Sequence, residues 1–253
     1  MKKTIRNAII LTLAAVVLVV ATVFTTMAYL VSTAKVSNVF TVGDVTIEMY
    51  ESPVDEDGKI VNPVAVGEKK TADTNTYAIK PGGTYDKDPT VYVNPGSTEC
   101  YLFVKARNQI DNIEYKEGTI DAGNASMKTQ MVANGWKRIG KTAIGDWIYV
   151  YTGDAADDND TDAFAQFIES MDTVQSFDLF KNFTIDPNCN NDKYKLAQGA
   201  AVTITAYAIQ TEGFIGANDE VSKENVIKAW NAIVDKVDYE GENSKLTGNE
   251  TIE

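Results

Sequence analysis

The chain has 253 residues, of which 44% are hydrophobic, and it carries 23 Lys and Arg against 36 Asp and Glu, with no histidine and two cysteines. The absence of histidine excludes Ser-His-Asp and Cys-His nucleophiles and the common catalytic zinc sites, because each needs an imidazole. The net charge of −13 argues against a nucleic-acid partner, since phosphate binding requires clustered Lys and Arg. Composition therefore indicates an acidic globular protein outside these enzyme classes.

The first predicted element is an export signal over residues 1–28. Three basic residues among the first seven are followed by an uncharged stretch from Ala8 to Ala34, which is typical of a secretory signal. Small residues suit cleavage after Ala28, which would make Tyr29 the new amino terminus, and also cleavage after Ala34. The alternative is an uncleaved anchor, because the apolar stretch exceeds the roughly 20 residues that span a bilayer. In both cases the remainder of the chain lies outside the cell.

The body of the chain has the period-two alternation of half-buried strands. Val45, Ile47 and Met49 alternate with polar neighbours, which predicts a strand with one buried face. Asp57-Gly58 predicts a hairpin turn. Similar patterns predict strands at Thr90–Val93, Tyr101–Arg107, Trp136–Ile139, Trp147–Tyr151, Phe177–Ile185 and Val202–Gln210.

Two segments have helical spacing instead. A helix is predicted at about 223–237, where the apolar residues repeat on one face around Trp230 and Ser222 is a candidate N-cap. A shorter helix is predicted over Ala163–Met171. The predicted fold is therefore mainly β: a jelly-roll-like β-sandwich with short helical insertions and a C-terminal amphipathic helix, in a single domain over residues 29–253.

An acidic segment gives a candidate calcium site. Asp158, Asp160 and Asp162 occupy positions 1, 3 and 5 of an EF-hand-like loop, and Glu169 occupies position 12. Position 6 is Ala163 rather than the glycine that the sharp turn requires. The alternative is a solvated acidic loop that caps a helix. No cofactor other than Ca²⁺ is indicated.

The two cysteines leave two interpretations open. Outside the cell, Cys100 and Cys189 could form a disulfide that restricts the unfolded chain. The alternative is a pair of unpaired thiols. Spacing alone does not decide between them, because a disulfide requires the two Cα atoms to lie close together.

A family resemblance is carried by the residues that surround the predicted cleavage site. Thr26–Ser32, followed by Asn38–Ile47, resembles the start of the TasA/camelysin family of exported biofilm-matrix proteins. Further similar segments are Ile79–Gly83, Val91–Ser97, Tyr101–Ala106 and Val202–Gln210. An insertion at about 108–192 and the helix around Trp230 have no counterpart in that family.

The resemblance implies a jelly roll, cleavage after Ala28 by a signal peptidase of the SipW type, and assembly into extracellular fibres. In such fibres the amino-terminal segment of one subunit completes the sheet of the next. The residues that would form this donor strand are Tyr29, Leu30, Val31, Ser32, Thr33, Ala34, Lys35 and Val36. The alternatives are that this segment pairs within its own subunit or is disordered. Camelysin-like members are described as metalloproteases, and the lack of histidine argues against that activity here.

The sequence thus predicts a secreted structural subunit of a biofilm matrix or surface fibre, not an enzyme. Its expected partners are further copies of itself and other matrix components, and it contacts the membrane only through an uncleaved signal segment. The alternative function is a secreted or surface-displayed, adhesin-like binding module for glycan or host protein. A vacant sheet groove that matches Tyr29–Val36 would favour the fibre, and a pocket of exposed aromatics on the insertion Asn108–Asp192 would favour the binding module.

Overall fold

The computed structural model describes residues 31–42, 44–65, 68–72, 74–153, 167–189, 192–193, 199–215, 221–237 and 241–248. The fold is mainly β, as predicted. The strands are β1 Val31–Val42, β2 Ile47–Tyr50, β3 Thr74–Ala78, β4 Thr84–Asp86, β5 Thr90–Val93, β6 Cys100–Asn108, β7 Trp136–Lys141, β8 Trp147–Tyr151, β9 Gln175–Asp178, β10 Asn182–Thr184 and β11 Val202–Gln210. The helices are α1 Met127–Ala133, α2 Lys223–Val237 and a 3₁₀ turn at Gly241–Ser244.

The main sheet has six strands in the order β3-β1-β11-β6-β8-β7. Strands β6 and β11 form its longest ladder, from Cys100 opposite Gln210 to Asn108 opposite Val202. Strand β1 runs parallel to β11, whereas the other neighbouring pairs in this sheet are antiparallel. Two smaller sheets, β2-β5-β9 and β4-β10, complete the described strands.

Alternation along β11 and β6 divides the buried side chains between two cores. On β11, Ile204 and Ala206 belong to the core between the sheets, whereas Tyr207 and Ile209 belong to a second core on the opposite face. Leu102 and Phe103 on β6 divide in the same way. Both faces of the main sheet are therefore covered, which explains why β6 is buried over most of its length.

The first core is the interior of the β-sandwich. Ile47 and Val91, from the three-stranded sheet, pack into the same cluster as Leu102 of the main sheet. An aromatic group closes one end: Tyr77 meets Phe183 edge-on with ring centroids 5.2 Å apart, and Tyr85 stacks on Phe183 at 5.4 Å. Aromatic side chains bury about 150–250 Å² each, so these rings contribute strongly to the core.

The second core lies under α2, whose predicted position is confirmed. Ser222 caps the helix, because its Oγ accepts a hydrogen bond of 3.2 Å from the backbone N–H of Asn225. Trp230 is fully buried between Phe103 and Tyr207. Its indole N–H donates to the carbonyl of Ser244 at 2.8 Å, so the segment after the helix also contacts this core.

Two predictions about the elements were wrong. The predicted strand Phe177–Ile185 is interrupted after Asp178, and its parts pair with different sheets as β9 and β10. The predicted helix Ala163–Met171 is not helical over its described part, residues 167–171, where Ile168 forms an antiparallel bridge with Cys100. Met171, the last residue of that predicted helix, is exposed.

Candidate functional site

The first candidate site is the ladder that holds the amino-terminal strand. Residues Val31–Lys35 of β1 pair with β3, with Thr33 opposite Thr76. From Val36 onward β1 pairs with β11 instead, and the register shifts between Val36 and Val39. The two halves of β1 are therefore held by different strands, and the change of partner falls at Val36.

The predicted donor residues Val31–Val36 lie within this ladder, whereas Ala28, Tyr29 and Leu30 lie outside the described residues. In the single chain the pairing is intramolecular, which corresponds to one of the alternatives given above. Transfer of this segment to a neighbouring subunit stays a prediction.

Strand β3 is the terminal strand of the main sheet. Its residues alternate, with Asn75 and Tyr77 buried and Thr74 and Thr76 exposed. A groove of about 620 Å³ runs beside it, between Thr74–Ala78 and Val54–Glu56. Because β1 is the only described ladder partner of β3, departure of Val31–Lys35 would leave the backbone groups of β3 available to another strand.

The second candidate site is a cavity of about 550 Å³ between α1 and the inner face of the main sheet. This volume is typical of a site for a small organic ligand. Its lining includes Glu114, Arg138, Lys141, Trp147 and Tyr149. No functional role was predicted for these residues from the sequence, because they are separated along the chain and only the strands bring them together.

The cationic wall of the cavity is built on the β7–β8 ladder. The register shifts between Arg138 and Gly140, and such bulges redirect the neighbouring side chains. The Arg138 guanidinium lies 3.8 Å from the centre of the Trp147 ring, and Lys141 Nζ lies 4.9 Å from the same centre. Both contacts are cation–π interactions, which hold the charges at the cavity wall.

Glu114 is the buried carboxylate of the cavity. Its Oε1 accepts from the backbone N–H of Met127 at 2.7 Å, and its Oε2 accepts from Asn108 Nδ2 at 2.8 Å. Burial raises the pKa of Glu114, and these two hydrogen bonds oppose that effect. The carboxylate therefore orients the start of α1 against the end of β6.

The candidate calcium site is only partly described. Asp158, Asp160 and Asp162 lie outside the described residues, and Glu169 is exposed, with its carbonyl accepting from Gln175 Nε2 at 2.9 Å. Within the described part of the chain, no group of three or more acidic or cysteine side chains is arranged to hold a metal ion. Calcium binding stays a prediction.

Cys100 and Cys189 are not joined by a disulfide in the described structure. Cys100 is fully buried on β6, and burial raises the pKa of its thiol to about 12. Cys189 is half-buried at the edge of the first core. Formation of the disulfide outside the cell stays a prediction.

Comparison with known proteins gave no relative on which to base an assignment. No protein-family model matches the chain, and no curated protein or solved structure is significantly similar to it. Among the described residues, none of the helices has the length and apolar character needed to cross a membrane. The functional interpretation therefore depends on the geometry of the two sites and on the residues around the predicted cleavage site.

Proposed function

We propose that this chain is an exported structural subunit of an extracellular biofilm-matrix or surface fibre, and that it assembles by inserting its amino-terminal strand into the next subunit. The role is structural and not enzymatic. The observation that supports it most directly is the change of partner at Val36. This position coincides with the end of the predicted donor segment Tyr29–Val36.

The change of partner gives a physical route to exchange. Residues Val31–Lys35 are held by hydrogen bonds to β3 alone among the described strands, so they can leave without breaking the ladder between β1 and β11. A copy of the same segment from another subunit offers β3 the same backbone groups. Exchange of identical segments therefore conserves the contacts while it joins two chains.

Head-to-tail exchange also accounts for a fibre rather than a closed dimer. Each subunit would donate Tyr29–Val36 and receive the equivalent segment at β3. These are different surfaces of the same molecule, and such a contact propagates when its rotation does not close a ring. The resemblance of Thr26–Ser32 and Asn38–Ile47 to exported matrix proteins supports the same arrangement, and it also implies the jelly-roll connectivity of the sandwich.

A pair of engineered cysteines tests the proposal. Thr33 lies opposite Thr76 in the ladder, so we expect Thr33→Cys with Thr76→Cys, in a Cys189→Ser background, to trap the pairing as a disulfide. Exchange predicts covalent multimers of Tyr29–Glu253 on non-reducing gels and fibres in electron micrographs. The matched control, Thr33→Cys alone, should give no multimers larger than a dimer.

Deletion of the donor segment gives an independent result. The chain without Tyr29–Val36 should remain a folded monomer and form no fibres. Fibres from this deletion, or a double-cysteine variant that gives only internally bonded monomers, would contradict strand exchange. Measurements with and without Ca²⁺ would also test the acidic segment.

The cavity under α1 favours a second candidate function, a surface-displayed binding module for glycan or host protein. The cavity is lined mainly by residues of the insertion, together with Ala106, Val202 and Ile204 of the main sheet, and it has an aromatic wall at Trp147 and cationic groups at Arg138 and Lys141. A glycan array probed with the purified chain, beside a Trp147→Ala variant, tests this function. Binding that disappears in the variant, from a chain that forms no fibres, would favour the binding module.

A further inference from the structure

A lysine and a glutamate are buried together beside β3. Lys87 Nζ lies 2.6 Å from Glu51 Oε2, and the two side chains are 1% and 0% exposed. The second carboxylate oxygen of Glu51, Oε1, has no hydrogen-bond partner among the described residues. Burial of a charged pair with incomplete hydrogen bonding costs folding free energy. A contribution to stability therefore does not explain why this pair is buried.

Asn75 of β3 lies beside this pair, and two hydrogen bonds fix the orientation of its carboxamide. Its Oδ1 accepts from the backbone N–H of Val54 at 3.2 Å, and its Nδ2 donates to the carbonyl of Ser52 at 2.8 Å. These two partners determine which end of the amide is oxygen, because one is a donor and the other an acceptor.

Asn75 and Lys87 both lie beside Glu51. Ser52, which holds the amide nitrogen, directly follows Glu51. On the same inner face of β3, the Tyr77 hydroxyl donates to the carbonyl of Asp86 at 2.9 Å, and Asp86 directly precedes Lys87. Glu51 is thus the buried neighbour of both the Lys87 amine and the Asn75 carboxamide, and all three residues are buried.

The surroundings favour the uncharged forms of the pair. Burial raises the pKa of Glu51, against opposing effects of Lys87 and of the Asn75 side chain. Burial also lowers the pKa of Lys87, against the opposing effect of Glu51. A carboxylic acid beside a neutral amine is the combination that general acid–base catalysis of acyl transfer requires.

We propose that Lys87 and Asn75 form an intramolecular isopeptide bond, with Glu51 as the catalytic acid and base. The lone pair of Lys87 Nζ attacks Asn75 Cγ, while Glu51 supplies a proton to Oδ1 and takes one from Nζ. As the intermediate collapses, Glu51 supplies a proton to Nδ2 and takes back the proton on Oδ1. The Cγ–Nδ2 bond breaks and ammonia leaves. An amine and a carboxamide thus become a secondary amide and ammonia, and Glu51 returns to its initial state.

The backbone around Asn75 suits this reaction. The Val54 N–H already donates to Oδ1, where negative charge develops during the attack, and such a donor stabilises the transition state. Asp88, the other buried acid nearby, is not an equivalent acceptor. Its carboxylate is engaged by the Ser52 N–H at 2.7 Å, the Ser52 hydroxyl at 2.8 Å and Lys70 Nζ at 3.0 Å.

The bond would tie β3 covalently to the segment between β4 and β5. Strand β3 is the strand that pairs with Val31–Lys35. A terminal strand of a sheet is otherwise held by its ladder and side-chain contacts alone. The inference rests on the buried cluster and not on the proposed function, so each can fail without the other.

Intact-mass measurement of denatured, purified Tyr29–Glu253 tests the bond directly. We expect a mass lower than that of the sequence by one ammonia. Tryptic digestion should give a branched peptide that joins Lys87 to Asn75, because an acylated lysine is not cleaved. A mass equal to that of the sequence, before and after prolonged warm incubation, would overturn the proposal.

Two other products have distinct signatures, and both would overturn the assignment. Loss of one water with a branch at Glu51 would place the bond on the glutamate. Loss of ammonia with normal cleavage after Lys87 would indicate a succinimide at Asn75. These results do not depend on whether any variant folds.

Variants test the roles of the three residues. Glu51→Gln retains the amine and the carboxamide but has no acid, so its mass should be that of its own sequence. Asn75→Asp should still form the bond, with loss of one water instead of one ammonia. The matched control, Lys70→Arg, changes the neighbouring ion pair with Asp88 and should still lose one ammonia. Retention of full ammonia loss by Glu51→Gln would remove Glu51 from the reaction.

Discussion

Arg107 holds Asp146 by two parallel hydrogen bonds, from Nε to Oδ1 and from Nη2 to Oδ2, each 2.7 Å long. This bidentate pair joins β6 to the turn before β8, and the Asp146 side chain is only 1% exposed. We expect Arg107→Lys to destabilise the fold by about 1–3 kcal/mol, because a lysine ammonium does not match both carboxylate oxygens. Urea unfolding measures the difference. A change below about 0.5 kcal/mol, the usual range for surface substitutions, would contradict a structural role for the pair.

Trp230 should be the most sensitive position of α2. Its ring fills the space between Phe103 and Tyr207, at centroid distances of 5.7 and 5.2 Å. Trp230→Ala is expected to cost about 3–5 kcal/mol, since it leaves a cavity and removes the bond to Ser244. Lys228→Ala on the exposed face of the helix serves as the control and should cost less than about 0.5 kcal/mol. Equal effects of the two substitutions on the unfolding midpoint would mean that α2 does not cover the second core.

The predicted hairpin at Asp57-Gly58 is confirmed by a bridge between Val54 and Ile60. Gly58 has a φ of +70°, and a Cβ there would lie 2.6 Å from Tyr85 Cδ1. Gly58→Ala should therefore cost more than the roughly 1–2 kcal/mol of a left-handed alanine. Gly96→Ala is the matched control, because its φ is +78° and a Cβ would meet nothing within 4 Å. Thermal unfolding that ranks the two variants in the opposite order would contradict the close packing of Tyr85 on this turn.

Glu114 should make stability depend on pH in a defined direction. Burial raises its folded-state pKa above the ordinary value of 4.5, so the folded chain binds this proton more tightly than the unfolded chain does. The resulting stabilisation is complete below pH 4.5 and is lost as the pH rises through the folded-state pKa. Glu114→Gln cannot titrate there. As the pH increases, the unfolding free energy of the native chain should therefore fall relative to that of this variant. An unchanged difference across that interval would show that Glu114 keeps its ordinary pKa.

The thiols should differ in reactivity. Cys100 is inaccessible and its pKa of about 12 leaves almost no thiolate at neutral pH. We expect an alkylating reagent to modify Cys189 in the native chain and Cys100 only after unfolding, as measured by peptide mass spectrometry. Protection of both thiols until a reductant is added would indicate that the chain forms the disulfide.

Most strands could be predicted because each alternates polar and apolar residues over its length. Val202–Gln210 and Trp147–Tyr151 match their predicted bounds for this reason. The interruption after Asp178 was missed because Leu179 and Phe180 continue the apolar run across the break, and both are buried in the connection itself. Periodicity alone does not distinguish a buried connection from a buried strand.

The short elements gave weaker signals. Strand β3 has polar residues at most of its positions, and α1 has only seven residues. The convergence of Lys87, Glu51 and Asn75 has no local signal at all. Lys87 lies between two aspartates in the sequence, a context typical of a solvated turn, and its burial depends on strands from distant parts of the chain.

The parallel pairing of β1 with β11 has a consequence for when the protein can fold. Val36 lies near the predicted start of the mature chain, and its partner Ile204 is among the last strand residues to be synthesised. The centre of the main sheet therefore cannot close until the chain has been synthesised through β11, and pairing between such distant segments is slow. In the exported subunit that we propose, a chain that stays open until β11 has emerged would be translocated in the extended state that an export channel requires. Sheet closure would then take place outside the membrane, where other copies of the same strand would also be present.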